Sequence, residues 1–400
     1  MTFLAPRLDR IKPSPSGAAA QLARDLKSAG RDIINLAVGE PDFETPAHIC
    51  EAATAAMRRG ETRYTTVDGT PELKAAIIAK FKRENGLSYT ADQITVANGA
   101  KQIIYNAMMA TLGPGDEVIV PSPYWVSYTD IVLLAEGVPV VVAGVQNNGF
   151  KLRPEDLEAA ITPRTKWLLL NSPSNPTGAV YTADELRALG AVVLRHPHVH
   201  VMTDDIYEHL LFDGRKFSTI AEVEPRLFDR TLTINGASKA YSMTGWRIGY
   251  AGGPHSLIRA MATLMGQSTA NPASISQAAA VAALTGPQDF LAEQCAAFQH
   301  RRDVVVDLIN AVPGLSCHAP EGAFYVFPSC AGLIGMTTPG GKRIKTDQDV
   351  VVYLLEAAGV ALVHGEAYGM SPYFRLSTAT SLELLREACK RIHAACNALT

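Results

Sequence analysis

Between residues 94 and 251 the chain returns repeatedly to short runs that are apolar at nearly every position. These are Ile94-Thr-Val-Ala, Glu117-Val-Ile-Val, Val138-Pro-Val-Val-Val, Trp167-Leu-Leu-Leu, Val199-His-Val-Met-Thr, Thr231-Leu-Thr-Ile and Arg247-Ile-Gly-Tyr-Ala. A strand with one wet face alternates apolar and polar residues; these do not, so both faces must be covered. The stretches before and between them read as helices, at 46–59, 70–85 and 100–112 among others, with Thr70 as a cap and Pro71 in the first turn. Strands separated by helices predict an α/β fold with a mostly parallel central sheet covered by helices. Residues able to do chemistry gather just after the strand ends: Asn98-Gly99, Pro123-Tyr124-Trp125, 171–178, Asp204 and Gly236 to Lys239. Ligands of open α/β sheets sit at that edge.

At 400 residues and 47% hydrophobic content, the chain can bury a large core and form two or three domains. The reading divides it into an N-terminal arm that also contributes to a small domain (1–44), a large domain (45–285) and a small C-terminal α+β domain (286–400). The prolines of Lys12-Pro13-Ser14-Pro15 are expected to delay the first helix to residue 18, and short strands are expected at 33–37 and 360–363. Net charge is −3 with no long run of one sign, which lacks the basic footprint of a nucleic-acid binder. The first residues lack an apolar signal core, and the longest apolar stretch, at 350–363, is broken by Glu356 and too short to span a bilayer. The six cysteines form no C-x-x-C pair, so they read as idle thiols and the protein as cytoplasmic. His196-Pro-His198-Val-His200 reads as turn polarity, and no metal is expected.

Lys239 stands in Asn235-Gly-Ala-Ser-Lys-Ala, with Arg247 following in Thr244-Gly-Trp-Arg-Ile-Gly. Upstream lie Asn175 in Asn-Pro-Thr-Gly, and Asp204 with Tyr207 beyond it. A lysine that bonds covalently to pyridoxal 5'-phosphate needs such company: an acid to keep the pyridine nitrogen protonated, donors toward the ring oxygen, and a cation for the phosphate. Gly99-Ala100-Lys101 ends a strand and opens a helix, so free N–H groups can meet an anion there, with Arg247 gripping it bidentately and Ser238 adding a donor. Taken singly, the turn at Gly99 is ordinary and Asp204 reads as a helix cap; the ordered combination carries the argument. Trp125 is either core or a plate stacked on the ring. Asn175-Pro176 is a candidate cis bond.

The set Gly39-Glu-Pro-Asp-Phe, Tyr64 with Gly69, Ser122-Pro-Tyr-Trp, Asn171-Ser-Pro-Ser-Asn-Pro-Thr-Gly, Asp204 with Tyr207, Ser238-Lys239, Gly245-Trp-Arg-Ile-Gly and Phe374-Arg-Leu-Ser closely resembles the fold-type I, class I/II pyridoxal-phosphate aminotransferases. The resemblance runs from about residue 10 to the C-terminus and is strongest to the bacterial aspartate aminotransferase branch, some members of which also accept prephenate. It implies Lys239 as the covalent lysine and Asp204 as partner of the ring nitrogen. It places Asn175 and Tyr207 on the ring oxygen, Trp125 against the ring, and Ala100, Ser238 and Arg247 on the phosphate. Tyr64 would join the phosphate from a neighbouring subunit, which implies a homodimer. Arg375, Gly39 and Asn175 would hold the substrate α-carboxylate. Gly236 stands where animal-type relatives carry a phosphate-binding serine.

The implied reaction is transamination of aspartate with 2-oxoglutarate in two half-reactions. Lys101 is the candidate for the distal carboxylate: a cation is disfavoured at a helix N-terminus, so its presence there asks for a reason. Ser16, and behind it Lys12, are candidate closing contacts from the arm. Rival readings are prephenate or aromatic transamination, a C–S lyase of the same fold, and an effector-binding half of a transcription regulator.

Overall fold

The structure, a computed structural model, describes residues 3–400. Strand β1 is Ile34–Asn35; the central sheet uses β2 (Ile94–Ala97), β3 (Glu117–Ser122), β4 (Val138–Ala143), β5 (Thr165–Asn171), β6 (His200–Asp204), β7 (Thr231–Gly236) and β8 (Gly249–Gly252). Their order is β2-β8-β7-β6-β5-β3-β4. Strands β3 to β7 pair in parallel, while β8 runs antiparallel to both its neighbours.

Strand β5 shows why its run is apolar throughout. Trp167 and Leu169 pack with Met202, Leu232 and the helices Ala100–Thr111 and His255–Gly266, whereas Leu168 and Leu170 pack with Val201 and the helix Ala183–Arg195 on the other face. Successive side chains of a strand point to opposite faces, so a sheet covered on both sides favours apolar residues at successive positions.

A second body of structure is built from β9 (Tyr325–Val326), β10 (Val360–Ala361), β11 (Val363–His364) and β12 (Phe374–Ser377). β11, β12 and β9 form an antiparallel sheet, and β10 pairs in parallel with β1. Ile34 and Leu36 share a core with Val305, Ile309, Leu354, Phe374, Leu376 and Ile392, so the N-terminal segment packs with the C-terminal residues.

Three expectations are corrected. The first helix begins at Pro15, not residue 18, because proline at the first helical position sacrifices an N–H that has no intrahelical partner anyway; Ser14 accepts from the Gly17 N–H at 3.4 Å. The single strand expected at 360–363 is two short strands that break at Leu362 and pair with different partners. The strand expected from Arg247 begins at Gly249, since Arg247 adopts a left-handed conformation at φ 56°.

Candidate active site

Three neighbouring strands end at the same edge. β5 closes on Asn171, which pairs in register with Asp204 at the end of β6, and Asp204 pairs with Ile234 of β7. Lys239 follows β7 by three residues, and Gly99 follows β2 before the helix Ala100–Thr111. A cleft of about 420 Å³ opens at this edge, lined by Ser16, Gly39, Ala100, Lys101, Trp125, Asn175, Asp204, Tyr207, Ser238, Lys239, Arg247 and Arg375. Of the residues singled out in the sequence for binding or catalysis, only Tyr64 and the weaker candidate Lys12 lie away from it. Tyr64 is 90% exposed. Asn175-Pro176 is cis, as are Ser122-Pro123, Ser172-Pro173 and Ser371-Pro372.

Asp204 is buried; its Oδ2 accepts from the Tyr128 hydroxyl at 2.7 Å, while Oδ1 has no partner. Burial pushes its pKa from 3.8 up to about 6, against the opposing pull of Tyr128, the Ile206 backbone and Lys239. Asn171 donates to the Asp204 carbonyl at 2.7 Å and accepts from the Asn175 N–H at 2.9 Å, linking the acid's strand end to the Asn-Pro-Thr-Gly turn.

Because the raised pKa belongs to the folded state alone, Asp204 costs stability. The unfolded carboxyl ionises first, so stability falls as pH rises from about 4 through about 6 and stays lowered above that. Asp204→Asn apoprotein is expected to exceed the parent in unfolding free energy by about 3 kcal/mol at pH 8. Urea melts across pH check this: the gain should vanish below about pH 4.

Lys239 donates to the Gly39 carbonyl at 2.6 Å, and its ammonium lies 5.9 Å from the rings of both Tyr207 and Phe324. Burial first, then the charges of Arg375 and Arg247, bring its pKa down to about 8, with Glu40 and Asp204 pulling the other way. The amine is thus held where a neutral fraction is accessible near neutrality.

Two arginines face the cleft with no carboxylate partner among the described residues. Arg375, 3% exposed, donates to the Ala37 carbonyl at 2.6 Å and to Asn175 Oδ1 at 3.1 Å; its Nε is buried and unpaired, and its guanidinium lies 4.5 Å from the Tyr325 ring. A buried, unpaired guanidinium is costly unless an anion completes it. Arg247 donates to the carbonyls of Thr244 and Asn98, at 2.8 and 3.2 Å. Its Nη2 lies 2.3 Å from where a Cβ on Gly99 would stand, and Gly99 has φ 88°, so only glycine admits the guanidinium at this helix start. Lys101 lies 4.8 Å over the Trp125 ring, its pKa lowered by partial burial and then by Arg247.

These features fit pyridoxal 5'-phosphate. The unpartnered oxygen of Asp204 suits a protonated ring nitrogen, and Arg247 beside the first N–H groups of the helix Ala100–Thr111 suits a phosphate. Several residues in or beside the cleft carry no signal in the sequence, Tyr128 and Tyr325 in its lining and Tyr368 beside it. Tyr128 stands three residues after Trp125, and only the fold carries its hydroxyl to Asp204. Tyr325 sits inside an apolar run, yet its hydroxyl lies 2.9 Å from that of Tyr207 and 2.6 Å from where a Cβ on Gly39 would stand. Tyr368 lies 3.3 Å from Ser16 Oγ, hydroxyl to hydroxyl. The histidines have ordinary partners: His196 meets Glu158 at 2.9 Å, His198 the Thr162 carbonyl at 3.0 Å, and His200 packs beside Trp167.

A mostly parallel sheet whose edge presents a partly neutral lysine, a buried acid and two unpaired arginines defines a pyridoxal-phosphate-dependent transaminase. The chain belongs to the class I and II aminotransferase family, whose model matches residues 31–392. It is 60% identical to the aspartate/prephenate aminotransferase of Cereibacter sphaeroides, over the full length of both chains. The crystal structure of the aspartate aminotransferase from Rhizobium meliloti superposes with a TM-score of 0.97 at 58% identity, covering all of each chain. The aspartate aminotransferase of Thermus thermophilus with maleate gives 0.93 at 43% identity, covering 99% of this chain and all of that one. No helix among the described residues is long and apolar enough to cross a membrane.

Proposed function

We propose that this chain transfers the amino group of aspartate to 2-oxoglutarate in two half-reactions at this cleft. The observation that carries the reading is Arg375, a buried guanidinium without an acid partner, lining the same cleft as Lys239 and a second cation, Lys101. Two cations suit a substrate with two carboxylates, and maleate in the Thermus relative is a dicarboxylate.

Pyridoxal phosphate bound there supplies an aldehyde and an electron-withdrawing ring. Lys239 Nζ would hold the cofactor covalently and, once displaced by the incoming amine, would move the proton from the substrate α-carbon to the cofactor's aldehyde carbon. Asp204 keeps the ring nitrogen protonated, Asn175 and Tyr207 face the ring oxygen, and Trp125 covers the ring. Ala100, Lys101 through its backbone, Ser238 and Arg247 hold the phosphate. Arg375, with Gly39 and Asn175, orients the α-carboxylate so that the α-hydrogen faces the lysine. Lys101 takes the distal carboxylate, and Ser16 closes on it from the arm.

Tyr64, exposed here, fits the phosphate of a second subunit in a cytoplasmic homodimer. The division into 1–44, 45–285 and 286–400 belongs to the same reading. Prephenate, a 2-oxo acid, is the second candidate amino-group acceptor, supported by the name of the Cereibacter relative. Adding single amino acids to the cofactor-loaded protein and following its visible spectrum with oxo-acid release tests the proposal. Aspartate should bleach the band and yield oxaloacetate, whereas ammonia release without an acceptor would point to the lyase. Lys101→Ala is expected to lower kcat/KM for aspartate by roughly 10- to 100-fold, the worth of a charge-assisted contact, and to spare neutral amino acids. Steady-state kinetics on both substrates reads the difference.

A further inference from the structure

Outside the cleft lining lies an ion pair that the reaction does not use. Lys80, on the helix Pro71–Asn85, has no exposed surface, and Glu208 is 5% exposed. Lys80 Nζ donates to Glu208 Oε1 and, at 2.8 Å, to Asn85 Oδ1, and it lies 3.5 Å from Glu84. Glu208 also accepts from Asn85 Nδ2 at 2.8 Å and Asn235 Nδ2 at 2.7 Å, and Asn235 Oδ1 accepts from the Gly236 N–H at 2.7 Å.

Stability does not account for such a pair. Withdrawing two charges from water costs about what their attraction returns, and apolar residues of the same volume serve as well or better. The connections point elsewhere. Glu208 follows Tyr207 directly in the chain, and Asn235 is the penultimate residue of β7, four residues ahead of Lys239. One carboxylate therefore ties three pieces together: a helix, the turn that carries Tyr207, and the strand end that leads to Ser238 and Lys239. Fully satisfied directional bonds in a dry interior fix relative position in a way that sliding apolar contacts do not.

We propose that Lys80 and Glu208 form a positioning pair that holds Tyr207 and the Ser238-Lys239 segment at the separation the cofactor and its reaction require. The proposal rests on reading Tyr207 and Lys239 as cofactor contacts. The test is the double variant Lys80→Met, Glu208→Gln, which removes both charges, keeps the length at 208 and shortens the side chain at 80 by one atom. Apoprotein titrated with pyridoxal phosphate by tryptophan fluorescence should bind it about five-fold more weakly. In the loaded enzyme kcat should fall about ten-fold while KM for aspartate stays within about two-fold, because displacement of reacting groups acts on the rate and Arg375 is untouched.

Cofactor affinity and kcat both within about two-fold of the parent, whatever the melting temperature, would overturn the proposal. If the double variant does not fold, Asn235→Ala cuts only the link to the lysine segment and is judged by the same two measurements. Lys239→Ala, assayed alongside, keeps the outcomes separate: full activity there would sink the assignment of the lysine itself, irrespective of the pair.

Discussion

Lys239→Ala is expected to lower transamination by about 10⁴-fold or more, since in the proposed reaction the residue would be both the covalent anchor and the proton carrier at the substrate α-carbon. The amine suits both roles because its pKa is down to about 8, chiefly through burial and then through Arg375 and Arg247. The variant should still fold: Lys239 makes one hydrogen bond, to the Gly39 carbonyl, and removing it relieves a buried cation. Single-turnover absorbance after mixing the reconstituted variant with aspartate gives the rate, and circular dichroism checks the fold. A rate within ten-fold of the parent would mean that another group moves the proton.

The second large effect is expected from Arg375→Leu. Removing one partner of a desolvated, hydrogen-bonded charge pair costs roughly 2–5 kcal/mol, which corresponds to about 30- to 5,000-fold in kcat/KM. All dicarboxylate and monocarboxylate amino acids should suffer alike, because the α-carboxylate is common to them; Lys101→Ala should discriminate between them. Thermal stability should move little. The variant leaves the Ala37 carbonyl and Asn175 Oδ1 without a donor, at about 1–3 kcal/mol each, but it also removes a buried cation whose isolation costs several kcal/mol. Steady-state kinetics with aspartate and alanine, alongside a melt of the apoprotein, separates these expectations.

Much of this site was legible in the sequence because its parts follow strand ends. Apolar runs such as Trp167-Leu-Leu-Leu mark buried strands, and the polar residues just beyond them must emerge at one edge; Asn171, Asp204 and Gly236 do so. Arg375 was legible only through resemblance, since a lone arginine in Phe-Arg-Leu-Ser has no local signature and gains meaning from the absence of an acid around it. Tyr128, Tyr325 and Tyr368 were not legible. Tyr325 lies in an apolar run where a tyrosine reads as core, Tyr128 and Tyr368 stand in segments with no local motif, and each hydroxyl finds Tyr207, Asp204 or Ser16 only through contacts far apart in sequence. The Lys80–Glu208 pair was hidden for the same reason: on its own helix Lys80 looks like one solvated charge among several. The first helix starts earlier than its prolines suggest, because a proline that breaks a helix interior is a preferred residue at its first position.

The reversed direction of β8 has a consequence for assembly. A parallel β8 would start from the opposite rim and leave Arg247 a sheet-length away from Lys239. Because it runs backwards from β7, with Gly236 facing Gly249, the chain leaves and re-enters the sheet at one rim. Lys239 and Arg247 are therefore two points on a single hairpin excursion between β7 and β8.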